Sequence, residues 1–204
     1  FRDVNIAFAN ELSLICDSLD INVWELIELA NKHPRVNILQ PGPGVGGHCI
    51  PIDPAFISYV ARSKKIKSTF IDNARKVNLE TTTWVTNLIS KRLKSKKNIL
   101  ILGLGYKKDV DDTRESASIK IFKNLHERYH VSFYDPYINK IIISKKTYYR
   151  IQDFDYKKLK KYDAIILATD HTIFNYNKIL EFSKLIFDTR TKFGNINLKK
   201  VIHC

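Results

Sequence analysis

The sequence is poor in cysteine, glycine, proline and acidic residues, and it contains no long apolar run. A membrane-spanning helix needs roughly 18 or more consecutive apolar residues, and none is present. The N-terminus has neither a basic leader with an apolar stretch nor an amphipathic transit pattern. A cytoplasmic protein without membrane insertion is therefore expected. The cysteines, Cys16, Cys49 and Cys204, are odd in number and widely spaced, which fits neither a disulfide framework nor a metal knuckle and points to a reducing compartment. Acidic side chains number 21 against 34 basic ones, a net charge of +13. Nucleic acid, an anionic membrane or a phosphorylated small molecule would each suit that sign. The lysines fall in spaced groups, such as those within 94–97 and 157–161, and read as a solvated surface. With no recognisable binding motif, no nucleic-acid partner is expected. The chain opens at Phe1, inside a helical pattern already under way and without a cap, so a piece of something longer is expected.

Apolar residues recur at helical spacing over 4–19 and 23–30, predicting two helices joined at Asp20-Ile21-Asn22. The scarce breakers are then concentrated. Residues 34–54 hold five of the 6 prolines and four of the 7 glycines, which excludes a helix and predicts a long shaped loop. Loops of that length in a compact domain are usually functional. A short helix is predicted over 55–63 and a long one over 70–93, with a domain boundary near 94–97. Beyond it, strands over 98–104, 130–134, 162–168 and 184–188 and a helix over 116–127 predict a parallel sheet with crossovers on both faces. The fold class is thus α/β, a helical unit at 1–95 followed by a Rossmann-like unit at 96–204.

Two motifs carry chemistry. In Gly42-Pro-Gly-Val-Gly-Gly-His-Cys49, four glycines let backbone come close to a ligand or offer amides to an oxyanion. Cys49 is the candidate nucleophile, and its thiolate needs a cation, base or oriented amides nearby. Its other reading is a small buried hydrophobe, which suits Cys16 better. His48 reads as structural or surface, because adjacent side chains usually point apart. Asp53, between Pro51 and Pro54, is placed to orient a water or a catalytic lysine. The second motif runs Ile99-Leu-Ile-Leu-Gly-Leu-Gly-Tyr-Lys107, a buried strand entering Gly103-x-Gly105, the start of a dinucleotide fingerprint. Lys108 stands where the third glycine belongs, and Asp135 lies farther on than the about 20 residues that the fingerprint expects. A phosphate-friendly turn near Lys107, Lys108 and Arg114 and a plain tight turn with solvated lysines both remain open.

Read together, FRDVNIAFANEL, NKHPRVNILQPGPGVGGHCIPIDP, NARKVN and LGLGYKKDVDDTRES resemble the UDP-glucose/GDP-mannose dehydrogenase family, in order and over essentially the whole chain. The loop is most similar to the branch that oxidises UDP-N-acetylmannosamine, with UDP-N-acetylglucosamine dehydrogenases next. The resemblance implies an NAD-binding Rossmann domain, a helical dimerising domain and a Rossmann-like UDP-binding domain, of which this sequence has the last two. It implies two hydride transfers to NAD that take a UDP-N-acetylhexosamine C6 alcohol to the acid through a cysteine thiohemiacetal and thioester, for surface polysaccharide synthesis. Cys49 matches the family's cysteine and Asp53 its aspartate. Arg2, His33, Arg35 and Gly46 match substrate contacts, with His33 and Arg35 reaching across a homodimer. Tyr106 and Lys107 match uridine-diphosphate contacts, Arg114 an arginine that touches NAD, and Arg190 a basic residue on the substrate. The family's catalytic lysine and a partner asparagine lie just upstream of the segment at Phe1, so this piece alone is expected not to turn over. An inactive UDP-sugar-binding or dimerising module is the alternative expectation.

Overall fold

The computed structural model describes residues 1–93, 97–194 and 199–204, so most of the expected boundary at 94–97 lies outside the described residues. Helix α1 (Arg2–Ser18) buries Ala7, Ala9, Asn10, Ser13 and Cys16, one face at three- and four-residue spacing. It turns at Asp20, in the left-handed region at φ 56°, into α2 (Val23–Ala30). The Asn22 side chain caps α2, accepting from Trp24 N (3.0 Å) and Glu25 N (3.2 Å). Residues 31–52 form the long loop, which ends where α3 (Asp53–Ser63) begins with Pro54 in its first turn.

Helix α4 (Thr69–Arg92) has 24 residues, about 36 Å at 1.5 Å per residue. It faces α1 with Ala74, Asn78, Thr81 and Thr82, while Val85 and Ile89 join the core under the sheet. One helix thereby belongs to both halves. The sheet strands are β1 (Asn98–Leu102), β2 (His130–Tyr134), β5 (Ala164–Leu167), β6 (Ile186–Asp188) and β7 (Val201–His203), following the chain-order numbering that includes β3 and β4 below. All pairings are parallel and the order is β2-β1-β5-β6-β7, a doubly wound sheet whose direction reverses between β1 and β5. Side chains along β1 alternate. Ile99 and Ile101 meet α4 and α5 (Ala117–His126), while Leu100 and Leu102 meet a 3₁₀ turn (Tyr156–Lys161) and α6 (Tyr176–Phe182). Burial on both faces explains why β1 and β5 read as unbroken apolar runs.

The expected α/β architecture is present, with shorter strands than the apolar runs suggested. The hairpin of β3 (Lys140–Ile143) and β4 (Lys146–Tyr149) was not foreseen. Its turn residues Ser144 and Lys145 both have positive φ, 49° and 67°, a geometry that usually announces itself with Asn or Gly. Helix α6 and β7 are short, at 7 and 3 residues, and carry little periodic signal. Among the described residues, no helix is long and apolar enough to cross a membrane.

Candidate active site

The glycine loop is tied down by side chains of the helical half and by a backbone carbonyl of the sheet half. Gly42 N donates to Asn10 Oδ1 (2.9 Å), Thr82 Oγ1 donates to Pro43 O (2.8 Å), and Gly47 N donates to Arg114 O (2.8 Å). Behind Asn10 runs a buried polar chain. Asn10 Nδ2 donates to Asn78 Oδ1 (2.8 Å), Asn78 Nδ2 to Asp3 Oδ1 (2.7 Å), and Arg75 to Asp3 (2.6 Å). The glycines are required by protein neighbours. A Cβ on Gly46 would lie 2.8 Å from Tyr106 Cβ and 2.9 Å from Glu115 O, and one on Gly47, at φ +95°, would lie 2.8 Å from the Tyr106 ring. The cysteine loop therefore rests flat on the turn that follows β1.

Cys49 closes the loop with its side chain exposed, whereas Cys16 and Cys204 are buried. Its carbonyl accepts from Ile52 N (3.1 Å) and Asp53 N (2.8 Å), so it is fixed at the entry to α3. His48 was expected to point away. Its Nδ1 instead lies 3.9 Å from Cys49 Sγ. Arg114 completes this corner, and Asp112 holds its guanidinium through Nε (3.1 and 3.0 Å) and Nη2 (2.6 Å). The Arg114 side chain and amide in turn hold the Asp112 carboxyl below its ordinary range.

After β1, the Gly103-x-Gly105 turn does not offer its amides to solvent. Leu104 N and Gly105 N donate to Asp135 Oδ2 at 2.7 and 3.2 Å, and Asp135 is fully buried. Gly103, at φ +82°, lies against Thr169, where a Cβ would approach within 2.5 Å. With Lys108 at the third-glycine position as well, the turn does not fit a dinucleotide pyrophosphate. What it presents is Tyr106 and exposed Lys107, whose Nζ lies 5.6 Å from the Tyr106 ring centroid.

A cleft of about 850 Å³ opens between α2, the start of the long loop and the loops after β5 and β6. Trp24, Gln40, Asp170 and Arg190 are among its lining residues. It lies at the carboxyl ends of the strands, where open α/β sheets bind ligands. Arg190 Nε donates to Ala168 O (2.8 Å), and its Nη1 would lie 3.3 Å from a Cβ on Gly42, so this arginine stands between cleft and glycine loop. The structure thus gathers Gly46, Cys49, Tyr106 and Arg114 in one corner, with Lys107 beside Tyr106, and Arg190 at the loop's other end. Arg2, His33, Arg35 and Asp53 are exposed, and Arg35 N donates to His33 Nδ1 at 3.3 Å. Gln40, Asp112 and Asp170 were not foreseen. Nothing in their local sequence separates them from ordinary polar surface.

Residues 1–80 match the UDP-glucose/GDP-mannose dehydrogenase family, central domain, and residues 100–195 match the same family's UDP binding domain. The chain belongs to this family. It is 42% identical over 213 residues to a UDP-N-acetyl-D-mannosamine dehydrogenase of Methanococcus vannielii, covering 98% of this chain and 47% of that protein. It is 56% identical over 123 residues to one from Campylobacter jejuni, covering 59% of this chain and 30% of that protein. The structure of a UDP-D-ManNAc dehydrogenase from Pyrococcus horikoshii superimposes with a TM-score of 0.81 at 35% identity, covering 100% of this chain and 49% of that one. The chain thus spans about half the length of the relatives that match nearly all of it. The family's two matched domains meet where the Gly46-Gly47 backbone lies on Tyr106.

Proposed function

We propose that this chain forms the central and UDP-binding parts, 1–95 and 96–204, of an NAD-dependent dehydrogenase that oxidises UDP-N-acetyl-D-mannosamine to UDP-N-acetyl-D-mannosaminuronate for surface polysaccharide synthesis. The observation that carries the reading is the docking of the exposed Cys49 loop on the Tyr106–Lys107 turn of the family's UDP-binding domain. Lys107 and Arg190 supply cations for the diphosphate, Tyr106 an aromatic face, and the cleft beside Gln40 room for the nucleoside. Arg2, His33, Arg35 and Gly46 complete the substrate contacts, His33 and Arg35 from the partner of a homodimer. The exposed apolar residues Phe8 and Phe70 on α1 and α4, which line a groove of about 640 Å³, support that dimer.

In the covalent stage Cys49 gives up its proton and its thiolate adds to the C6 aldehyde. A C–S bond forms, and the carbonyl electron pair becomes an alkoxide that takes a proton, giving the thiohemiacetal. Oxidation of the thiohemiacetal to the thioester would send its C6 hydride to NAD and release a proton, after which a water oriented by Asp53 attacks the carbonyl carbon. The C–S bond breaks, leaving the carboxylate and the Cys49 thiol. The hydride steps are not assigned to any residue of this chain, because the Gly103-x-Gly105 amides are taken by Asp135; Arg114 is the residue proposed to touch NAD. The free thiols support a cytoplasmic setting for the enzyme.

Calorimetric titration with UDP and with UDP-N-acetyl-D-mannosamine, repeated on Lys107→Ala, tests the reading. Saturable binding that the substitution weakens about tenfold is expected. Absence of binding, or binding indifferent to Lys107, would overturn it.

A further inference from the structure

Two buried side chains, Asp135 and His171, govern the turn that carries Tyr106 and Lys107. His171, on the loop after β5, is fully buried. Its Nε2 lies 3.0 Å from Asp135 Oδ2, the oxygen that also accepts from Leu104 N and Gly105 N. Its Nδ1 accepts from Asp109 N at 2.9 Å. Since Nδ1 is an acceptor there, the ring is neutral with its proton on Nε2, which donates to Asp135. Asp135 Oδ1 accepts from Tyr137 N (2.8 Å) and Ile138 N (3.0 Å), so five donors converge on one buried carboxylate. Asp109 is in the left-handed region at φ 61°, and its Oδ1 accepts from Thr172 N (2.9 Å). Such a backbone conformation is strained for a non-glycine residue and persists when its surroundings hold it.

One imidazole thus secures the turn on both sides of Lys107, at Gly105 through Asp135 and at Asp109 directly. The ring is itself fixed, with Tyr137 and Phe174 at centroid distances of 5.2 and 5.4 Å, and the Tyr176 hydroxyl donates to the His171 carbonyl (2.8 Å). We propose that His171, acting through Asp135 and Asp109, is the positioning residue for Lys107. This rests on the UDP-binding reading. Asp135 also fills the anion position of the glycine turn with the chain's own charge, so the turn recognises phosphate by a side chain in place of its amides.

The test is UDP affinity by calorimetry for the wild-type chain, His171→Phe, His171→Gln, Lys107→Ala and the His171→Phe/Lys107→Ala double variant. Phe keeps the ring and loses both nitrogens, and weakens UDP about tenfold. Gln recovers part of the loss, because its amide can again donate to Asp135. The double variant binds no more weakly than Lys107→Ala alone, as a residue acting through Lys107 requires. Additive losses, or His171→Phe binding UDP like the wild type, would overturn the proposal. If the wild type binds no UDP, the substrate reading fails, and the clamp is judged separately by hydrogen exchange and imidazole nitrogen NMR. An Asp109 amide that loses protection in His171→Phe, with a wild-type ring protonated at Nε2 alone, supports the clamp; unchanged protection or a proton on Nδ1 sinks it.

Discussion

Among single residues, Cys49 and Asp135 show how differently burial treats two reactive groups. Burial pushes the Cys16 and Cys204 thiols up, away from the reactive thiolate, while Cys49 stands exposed beside His48. Near neutral pH, iodoacetamide is expected to label Cys49 first, and mass spectrometry of the digested chain reads the order. Labelling of Cys204 ahead of Cys49 would remove the ground for a Cys49 nucleophile. Asp135 follows the opposite logic. Burial pushes its carboxyl upward, but the bonds from His171, Leu104 and Tyr137 outweigh that and hold it below the ordinary value. A depressed carboxyl contributes stability that is present above the unfolded value of about 4 and is lost as pH falls through the folded one. The wild-type melting temperature should therefore fall on acidification below about pH 4, and Asp135→Asn should melt lower at neutral pH with a shallower acid decline. A variant with an unchanged acid slope would mean that other carboxylates carry it.

For the loop and its neighbouring elements, the sequence signal and the structural cause part company. The glycines of 42–47 announced a loop of special shape, but the reason expected for them was close approach to a ligand. The structure gives Gly46 and Gly47 a protein neighbour, the Tyr106 side chain and the 115–116 backbone. Gly46→Ala is accordingly expected to cost about 1–3 kcal/mol in thermal or denaturant unfolding, as overpacking does, and to slow Cys49 labelling by shifting the loop. Full stability with altered UDP affinity would return Gly46 to a pure ligand contact. The β3–β4 hairpin went unread for a local reason, since Ser144 and Lys145 adopt positive φ without glycine or asparagine to mark it. The helices α1, α2 and α4 were legible because each keeps its apolar period over two turns or more.

Taken whole, the chain leaves an apolar face open on its helical half, with Phe8 50% and Phe70 74% exposed around one groove. Light scattering should report a dimer, and Phe8→Glu with Phe70→Glu should shift it to the monomer mass. UDP affinity should change little, because Tyr106, Lys107 and Arg190 lie on the other half. A monomeric wild type would overturn the dimer.

The sequence by itself determined the α/β class, the long loop, the cysteine at its end and the family, since these are written in short-range periodicity and in contiguous motifs. Tertiary structure alone decided that Asp135 fills the glycine turn, that His171 bridges Gly105 and Asp109, and that the cysteine loop lies on Tyr106. Those contacts join residues 30 or more positions apart, Asp135 with Gly105 at 30 and with Leu104 at 31 and His171 with Asp109 at 62, and no local pattern encodes which buried polar group meets which amide.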